Sequence, residues 1–188
     1  MTNTLIRPAL VTDLPRLTEI YNHYIIHTPV TFDTRPYTVE ERIAWFQQFG
    51  ETGRYRMLVA ELDGKVAAYA GTTRFRPKPA YDTTVETTIY CAPESAGQGL
   101  GVRLYAALFH SLENENVHRI VAGYVPPNPA SQALHKHFGF QAVGTFSETG
   151  FKFGRYWDVC WVERSRRPPI QTSKCTTASP GATGTTSS

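Results

Sequence analysis

Cysteine is scarce in this sequence, which contains only Cys91, Cys160 and Cys175 among 188 residues. Their spacing forms neither a pairing framework nor a cluster of metal ligands, which argues against disulfides and against a zinc site. Long apolar runs are missing too, since no stretch approaches the roughly 20 residues that a membrane-spanning helix needs. The N-terminus lacks the apolar segment of a secretory signal. We therefore expect a cytoplasmic protein with no metal and no membrane partner.

An excess of one charge is also missing from most of the chain. The sequence has 19 basic and 16 acidic residues, and four of the basic ones, Arg164, Arg166, Arg167 and Lys174, follow the last acidic residue, Glu163. The part before them is nearly neutral, which argues against the broad cationic face of a nucleic-acid-binding protein. Nucleic acid is therefore not an expected partner.

The C-terminal segment differs in composition from the rest of the chain. Residues 165–188 are rich in Ser, Thr, Pro and Gly and almost lack apolar side chains. Such a segment cannot bury enough surface to offset the entropy lost on ordering. We therefore predict one folded domain over residues 4–164, followed by a disordered tail.

A strand that runs into a glycine-rich turn and then a helix is the first functional signal. Apolar and polar residues alternate over 84–91, as a strand requires, and apolar residues recur at helical spacing over 105–112. Between them lie Gly97, Gly99 and Gly101. Glycine lets the backbone approach a ligand closely, and the free N–H groups of the helix's first turn attract an anion. The pattern predicts a site for a diphosphate, although such loops often need glycine only for their geometry.

The second signal is a short helix with a marked start and end. Asn128 can cap it, Pro129 occupies its first turn and Gly139 can end it. The expected core-facing stripe consists of Ala130, Ala133, Leu134, His137 and Phe138. His135 is rotated by about 100° from that stripe. We therefore expect His135 to reach a neighbouring cleft.

Both segments resemble the GNAT superfamily of acetyl-CoA-dependent N-acetyltransferases, whose signature is an R/Q-x-x-G-x-G/A loop after a central strand and a later N-x-x-A/S-x-x-x-Y-x-x-x-G-F helix. Four segments are similar to the phosphinothricin N-acetyltransferase branch: Y-N-H-Y at 21–24, T-V-E-T-T-I-Y at 84–90, L-H-K-H-F-G-F at 134–140 and G-F-K-F-G-R-Y-W-D-V at 150–159. Ala96 stands where the superfamily usually has Gln or Arg, and His135 stands where many members have Tyr. The phosphinothricin branch shares the second departure.

The resemblance implies acetyl-CoA as the co-substrate, a small-molecule amine such as phosphinothricin or methionine sulfoximine as the acceptor, and a homodimer. The residues expected at the cofactor are Ile89, Tyr90, Cys91, Gly97, Gln98, Gly99, Leu100, Gly101, Val102, Asn128, Ser131 and His137. Those expected at the acceptor are Phe32, Phe75, Arg76 and Tyr81. Arginine suits a carboxylate or phosphinate, but a loop arginine can also be only a solubilising surface charge.

The order of predicted elements indicates a mixed α/β fold. The predicted helices are 12–26, one from Thr38 to near Gly50 with a Thr38/Glu41 capping box and a stripe of Val39, Ile43, Phe46 and Phe49, one after the glycine loop, and the Asn128 helix. The predicted strands are 5–8, 55–62, 65–73, 84–91, 118–125, 142–147 and 156–163, with an Asp63-Gly64 hairpin turn. Hairpins combined with crossovers predict a mixed, mostly antiparallel twisted sheet flanked by helices, the fold that the resemblance also implies.

Transfer of an acetyl group to an amine requires a proton acceptor, and two residues could serve. An α-ammonium with a pKa near ~8 must lose a proton before it attacks a thioester. The resemblance implies Glu86 as that base, but an ordinary Glu pKa of ~4.3 leaves a mismatch of about 5 kcal/mol, against about 2 kcal/mol for a His at ~6.5. Burial could raise the pKa of Glu86, or the carboxylate could simply anchor the ammonium. His135 occupies the position of a Tyr that relatives use as an acid, so either direction of proton transfer stays open.

Two further alternatives concern the mechanism and the acceptor. Cys91 lies on the apolar side of its strand with no nearby His in sequence, which favours core packing over an acetyl-cysteine intermediate and hence direct transfer in a ternary complex. The acceptor could also be a protein N-terminus, a polyamine or an antibiotic. A third possibility is a non-catalytic acyl-CoA-binding domain.

Overall fold

All strands of the described residues, 3–166 of this computed structural model, join one sheet in the order β1-β2-β3-β4-β5-β7-β6. The strands are β1 (Thr4–Pro8), β2 (Met57–Leu62), β3 (Lys65–Arg74), β4 (Thr84–Cys91), β5 (Arg119–Tyr124), β6 (Gln141–Lys152) and β7 (Arg155–Ser165). The helices are α1 (Leu14–His27), α2 (Val39–Phe46), α3 (Leu100–Ser111) and α4 (Pro129–His137). Every strand pair is antiparallel except β4 with β5, which is parallel. The predicted mixed, mostly antiparallel sheet flanked by helices is confirmed.

Helices cover the two faces of the sheet because strand side chains alternate between them. On one face, Ala68 and Ala70 of β3 pack in a buried cluster with Leu104 and Leu108 of α3. On the other face, Tyr69 packs in a cluster with residues of α1. Consecutive residues of one strand therefore serve different helical layers, and the same alternation decides which side chains of β4 reach which side of the sheet.

Several local signals in the sequence are confirmed. The Thr38 hydroxyl accepts a hydrogen bond from the Glu41 backbone N–H, and the Glu41 carboxylate accepts one from the Thr38 backbone N–H, which completes the capping box. Asp63 and Gly64 both have positive φ, 49° and 82°, as a two-residue hairpin turn of this kind requires. Local hydrogen bonding and backbone sterics therefore fix these turns without help from distant residues.

The prediction for α2 is wrong in two respects. The helix ends at Phe46 rather than near Gly50, and Ile43 of the predicted stripe is 41% exposed. Arg42 is instead the buried residue of the helix, with 5% exposure. Its guanidinium lies over the Trp45 ring, 3.7 Å from the centroid, so an aromatic contact replaces the aliphatic one that periodicity favoured.

The C-terminal hairpin is longer than its predicted strands. Phe153 and Gly154 form a turn with positive φ at both positions, 54° and 74°, which lets pairing continue to Lys152 and Arg155. At the other end, Ser165 pairs with Arg119, so the last strand extends two residues past its predicted end at Glu163. The rest of the predicted disordered tail, 167–188, lies outside the described residues.

Candidate active site

The two central strands part directly after Glu86. Strand β4 pairs with β5 only from Thr84 to Glu86, whose partner is Val121. Beyond this point β4 continues to Cys91 with its other edge paired to β3. The edge of β4 that faces β5 therefore carries backbone N–H and C=O groups without a strand partner. A ligand inserted between the strands can hydrogen-bond to them.

The glycine loop, residues 97–99, places the start of α3 at this opening. Gly97 and Gly99 have φ of 78° and 72°, a region that L-residues rarely adopt. Gly99 is the N-cap residue and offers no side chain to the helix, so the N–H groups of the first turn of α3 have no side-chain cap. These groups supply donors and a partial positive charge, which together suit a diphosphate.

A cavity occupies the fork, that is, the space between β4 and β5 beyond Glu86 where the two strands no longer pair. Its volume of about 940 Å³ is at the upper end of the range for ligand pockets. Its wall includes every residue that the sequence predicted at the cofactor: Ile89, Tyr90, Cys91, Gly97, Gln98, Gly99, Leu100, Gly101, Val102, Asn128, Ser131 and His137. His135 lines it as well. The fold therefore assembles these residues, which are separated by up to 48 positions in sequence, around one space.

The core-facing stripe predicted for α4 is only partly right: Leu134 and Phe138 do pack against the buried cluster beneath α3. Ala130, Ala133 and His137 of the predicted core stripe are exposed and line the cavity, whereas His135 is the buried residue, with 4% exposure. The helix packs its His135 side toward Tyr105, Tyr124 and Phe140, and these rings decide its orientation. His135 thus belongs both to the aromatic core and to the cavity wall.

The His135 ring is held by two hydroxyl groups. The Tyr105 hydroxyl lies 3.4 Å from Nε2, and the Ser131 hydroxyl lies 3.2 Å from Nδ1. Burial lowers the pKa of His135 from its ordinary value, because a low-dielectric environment disfavours the imidazolium. The imidazole is therefore neutral near pH 7, with both nitrogens in hydrogen-bonding contact with hydroxyls.

Glu86 is the last residue of β4 that pairs with β5, so it lies at the vertex of the fork, where the strands separate, and not in the cavity wall. Its sequence neighbours Thr87 and Thr88 line the cavity. Burial raises the pKa of Glu86 above its ordinary value, and the nearby Arg76 partly opposes that rise. A half-buried carboxylate with a raised pKa at a cleft is a common feature of catalytic sites.

The predicted acceptor residues fall in two places. Phe75 contacts Tyr81 edge-on, with ring centroids 5.8 Å apart, and Arg76 follows it as an exposed side chain close enough to Glu86 to influence its pKa. Phe32 packs instead against Gly150 of β6, filling the space that a side chain at that position would need. The prediction of their roles is left untested by this geometry.

The cavity wall also contains residues that the sequence did not single out. Tyr24, Tyr124 and Trp157 line it. The Tyr24 hydroxyl donates to the Cys91 carbonyl, 2.7 Å away, and so ties α1 to the end of β4. Tyr24 and Trp157 lie in two of the segments that resemble the phosphinothricin branch, but that resemblance assigned them no role, and no local motif marks Tyr124.

Cys91 lines the cavity, but its environment does not activate the thiol. It packs against the buried cluster beneath α3, and burial raises the pKa of its thiol. A thiol that resists ionisation is a poor nucleophile. The geometry therefore agrees with direct transfer rather than an acetyl-cysteine intermediate.

The lowered pKa of His135 can be tested by titration. We expect the imidazole to lose its proton with a midpoint below about 6.5, because burial penalises the charged ring. NMR chemical shifts of the histidine rings recorded from about pH 5 to about pH 8 would give the midpoint, and the variant His135→Gln would assign the signal. A midpoint at or above the ordinary histidine value would contradict this description of the site.

Comparison with known proteins agrees with the site's geometry. The sequence model of the acetyltransferase (GNAT) domain family matches residues 6–161. A phosphinothricin N-acetyltransferase of Streptomyces coelicolor is 51% identical over 161 residues, covering 85% of this chain and 94% of the relative. An L-methionine sulfoximine/L-methionine sulfone acetyltransferase of Salmonella typhimurium is 34% identical over 158 residues, covering 84% of this chain and 92% of the relative.

Solved structures show the same fold with its cofactor. A GNAT superfamily phosphinothricin acetyltransferase of Sinorhizobium meliloti in complex with acetyl-CoA superimposes with a TM-score of 0.81 at 30% identity, covering 93% of this chain and 97% of that one. The overall fold and more than half of the sequence therefore match one family. The chain belongs to the GNAT acetyltransferases, in the branch that includes the phosphinothricin N-acetyltransferases.

Proposed function

We propose that this protein transfers the acetyl group of acetyl-CoA directly to the α-amine of a small amino acid of the phosphinothricin, methionine sulfoximine or methionine sulfone type. The observation that carries the proposal is the position of Glu86, a half-buried carboxylate at the vertex of the fork whose cavity adjoins it. The names of the relatives at 51% and 34% identity supply the acceptor class.

The residues around the cavity suit acetyl-CoA. The uncapped N–H groups at the start of α3, together with Gly97 and Gly99, would hold the diphosphate. The unpaired edge of β4 after Glu86 would bind the amide-bearing arm, as an added strand does. When bound, acetyl-CoA supplies the activated thioester. The absence of Gln or Arg at position 96 leaves these backbone donors intact.

Burial changes the balance between the two candidate proton carriers. The pKa of Glu86 is raised toward that of an α-ammonium, so the mismatch is smaller than the free-residue values suggest. The pKa of His135 is lowered, so its mismatch becomes larger. We therefore assign Glu86 to accept the proton of the ammonium, and His135 to relay a proton at the thiol side through its contacts with Tyr105 and Ser131.

Arg76 is the residue we assign to the carboxylate of the acceptor. An α-amine and an α-carboxylate share one carbon atom, so a group that binds the carboxylate must lie close to the base. Arg76 meets this requirement, since it is the charged group that opposes the raised pKa of Glu86. Its guanidinium is exposed and so remains available for a bidentate contact.

A thiol-release assay with a panel of acceptors tests the proposed function. With acetyl-CoA present, we expect methionine sulfone, methionine sulfoximine and phosphinothricin to release CoA much faster than spermidine or a peptide with a free N-terminus. Activity confined to spermidine or to the peptide would reject the acceptor class. Binding of acetyl-CoA without any acceptor-dependent release would leave only a non-catalytic role.

In the same assay, Glu86→Gln should lower kcat by about 10²- to 10⁴-fold, because the amide cannot accept the proton. Glu51→Gln changes an exposed glutamate and serves as the matched control.

Replacement of Arg76 by Ala tests the carboxylate contact. We expect KM for the amino acid to rise about 10-fold or more while KM for acetyl-CoA stays the same, since the guanidinium contacts only the acceptor. The α-amide of the same amino acid should be insensitive to the change. Lys78→Ala removes an exposed charge from the same loop and is the control. Equal effects on both substrates would argue against this role.

We further propose that the protein forms a homodimer through its C-terminal hairpin. Phe146, Phe151, Phe153 and Tyr156 are each more than half exposed, and they lie on the long β6–β7 hairpin, whose strand β6 is the edge of the sheet. Exposed aromatic residues grouped on an edge commonly mark an interface.

No helix of the described residues is long and apolar enough to cross a membrane. The cytoplasmic location stays a prediction.

Sedimentation velocity tests the homodimer. We expect the wild-type protein to sediment at twice the chain mass, and a Phe151→Ser/Tyr156→Ser variant to shift toward the monomer because both changes remove exposed aromatic area. A concentration-independent monomer in the wild type would reject the proposal.

A further inference from the structure

A second, smaller cavity lies on the sheet face that carries Glu86. Its volume is about 250 Å³, and its wall consists of Tyr21, Asp33, Tyr37, Glu41, Arg42, Trp45, Tyr69, Thr73, Thr88 and Tyr90. Thr73 is the cross-strand partner of Glu86 and Thr88 is two residues further along β4, so both share the face of Glu86. Thr88 and Tyr90 also line the large cavity. The two cavities therefore meet at β4, beside Glu86.

Arg42 enters this cavity as a buried cation without a carboxylate partner. It is 5% exposed, and among the described residues no carboxylate oxygen lies within 4.0 Å of its guanidinium. Its Nε is buried and has no hydrogen-bond acceptor. The rings of Trp45 and Tyr21 lie 3.7 and 4.5 Å from the guanidinium carbon and offset part of the cost of burying the charge. A donor that remains unsatisfied is unusual in a folded protein.

The two acidic residues of the cavity already have partners. Asp33 accepts a hydrogen bond from the Tyr21 hydroxyl at 2.6 Å. Glu41 is bound by Arg35 at 2.8 and 3.0 Å and completes the capping box of α2. The unmet demand in this cavity is therefore for an acceptor oxygen, not for a cation.

A second unsatisfied group belongs to the same wall. Tyr69 is 1% exposed, and its hydroxyl has no hydrogen-bond partner among the described residues. Burial raises the pKa of this hydroxyl, and the adjacent Arg42 guanidinium, which can only donate to the hydroxyl oxygen, partly opposes the rise. The hydroxyl therefore stays protonated, and its own proton is free to be donated. Arg42 and Tyr69 thus offer two buried donors to one small space.

We propose that Arg42 and Tyr69 bind the oxygen-bearing end of the acceptor's side chain and so determine which amino acids the enzyme prefers. This inference rests on the proposed function. Two residues along a strand span about 7 Å, so an amino acid whose amine meets Glu86 places its side chain near Thr88, at the wall of this cavity. Sulfone, sulfoximine and phosphinate groups all carry acceptor oxygens that fit two donors.

The proposal separates two tasks on the acceptor. Arg76 is exposed and close to Glu86, where the α-carboxylate lies, whereas Arg42 is buried and further along the same face. A side chain without an oxygen would leave both buried donors unpaired, which a site rejects more strongly than a simple loss of contact. Methionine and methionine sulfone differ only in those oxygens and are therefore the informative pair.

The test compares kcat/KM for methionine sulfone and for methionine in the wild type, Arg42→Met and Tyr69→Phe. We expect Arg42→Met to lower the value for the sulfone by about 10- to 100-fold and to leave methionine within about twofold. Tyr69→Phe conserves shape and should lower the sulfone value by several fold. KM for acetyl-CoA should not change. The matched control is Arg119→Met, which removes an arginine whose partly exposed side chain forms an ion pair with Glu163.

The outcomes distinguish this inference from the proposed function. If the wild type acetylates none of the amino acids, the proposed function fails before Arg42 is considered. If the wild type is active and both variants keep its preference for the sulfone, the inference is overturned while the function stands. If Arg42→Met instead abolishes the difference between an amino acid and its α-amide, Arg42 binds the α-carboxylate and the side-chain assignment is wrong. Thermal melting and calorimetric binding of acetyl-CoA verify that each variant is folded.

Discussion

The separation of β4 from β5 after three paired residues is the constraint on which the site depends. Pairing ends at Glu86, and the two strands diverge around a cavity of about 940 Å³. The edge of β4 that would otherwise bind β5 is left for a ligand, and the start of α3 adds uncapped N–H groups at the same opening. The sheet remains intact because β3 holds the other edge of β4 as far as Cys91. A single interruption in one strand pair therefore opens the site while β4 stays paired within the sheet.

Burial then distinguishes the two proton-transfer candidates at this opening. Free-residue pKa values favour His135 over Glu86 as a partner for an amine. In the folded chain the same physical effect, loss of hydration, acts on groups of opposite charge type: it raises the pKa of the carboxyl and lowers that of the imidazole. The difference between the pKa of the acceptor amine and that of the proton carrier thus becomes smaller for Glu86 and larger for His135. The positive charge of Arg76 opposes this rise in the pKa of Glu86.

Two arginines near this opening lie at different depths, and the tasks proposed for them differ accordingly. Arg76 is exposed in the loop before β4, where water competes for it, so the substrate carboxylate proposed to bind there would have to displace that water. Arg42 is enclosed by aromatic rings and carries an unsatisfied Nε, so any oxygen that reaches it binds in a low-dielectric environment. Periodicity treats Arg42 as the polar side of α2, because it registers charge but cannot detect that Tyr21, Tyr37 and Trp45 surround it.

The sequence by itself determined the features that depend on neighbouring residues. The Thr38 capping box, the Asp63-Gly64 turn, the glycine loop before α3 and the family signature are local patterns, and local hydrogen bonds or backbone sterics suffice to specify them. Only the tertiary structure decided that His135 and Arg42 are buried while Ala130 is exposed. It also decided that β4 and β5 separate after Glu86. These outcomes depend on rings and strands far away in sequence. Burial and pairing are properties of the assembled sheet, and no short segment contains them.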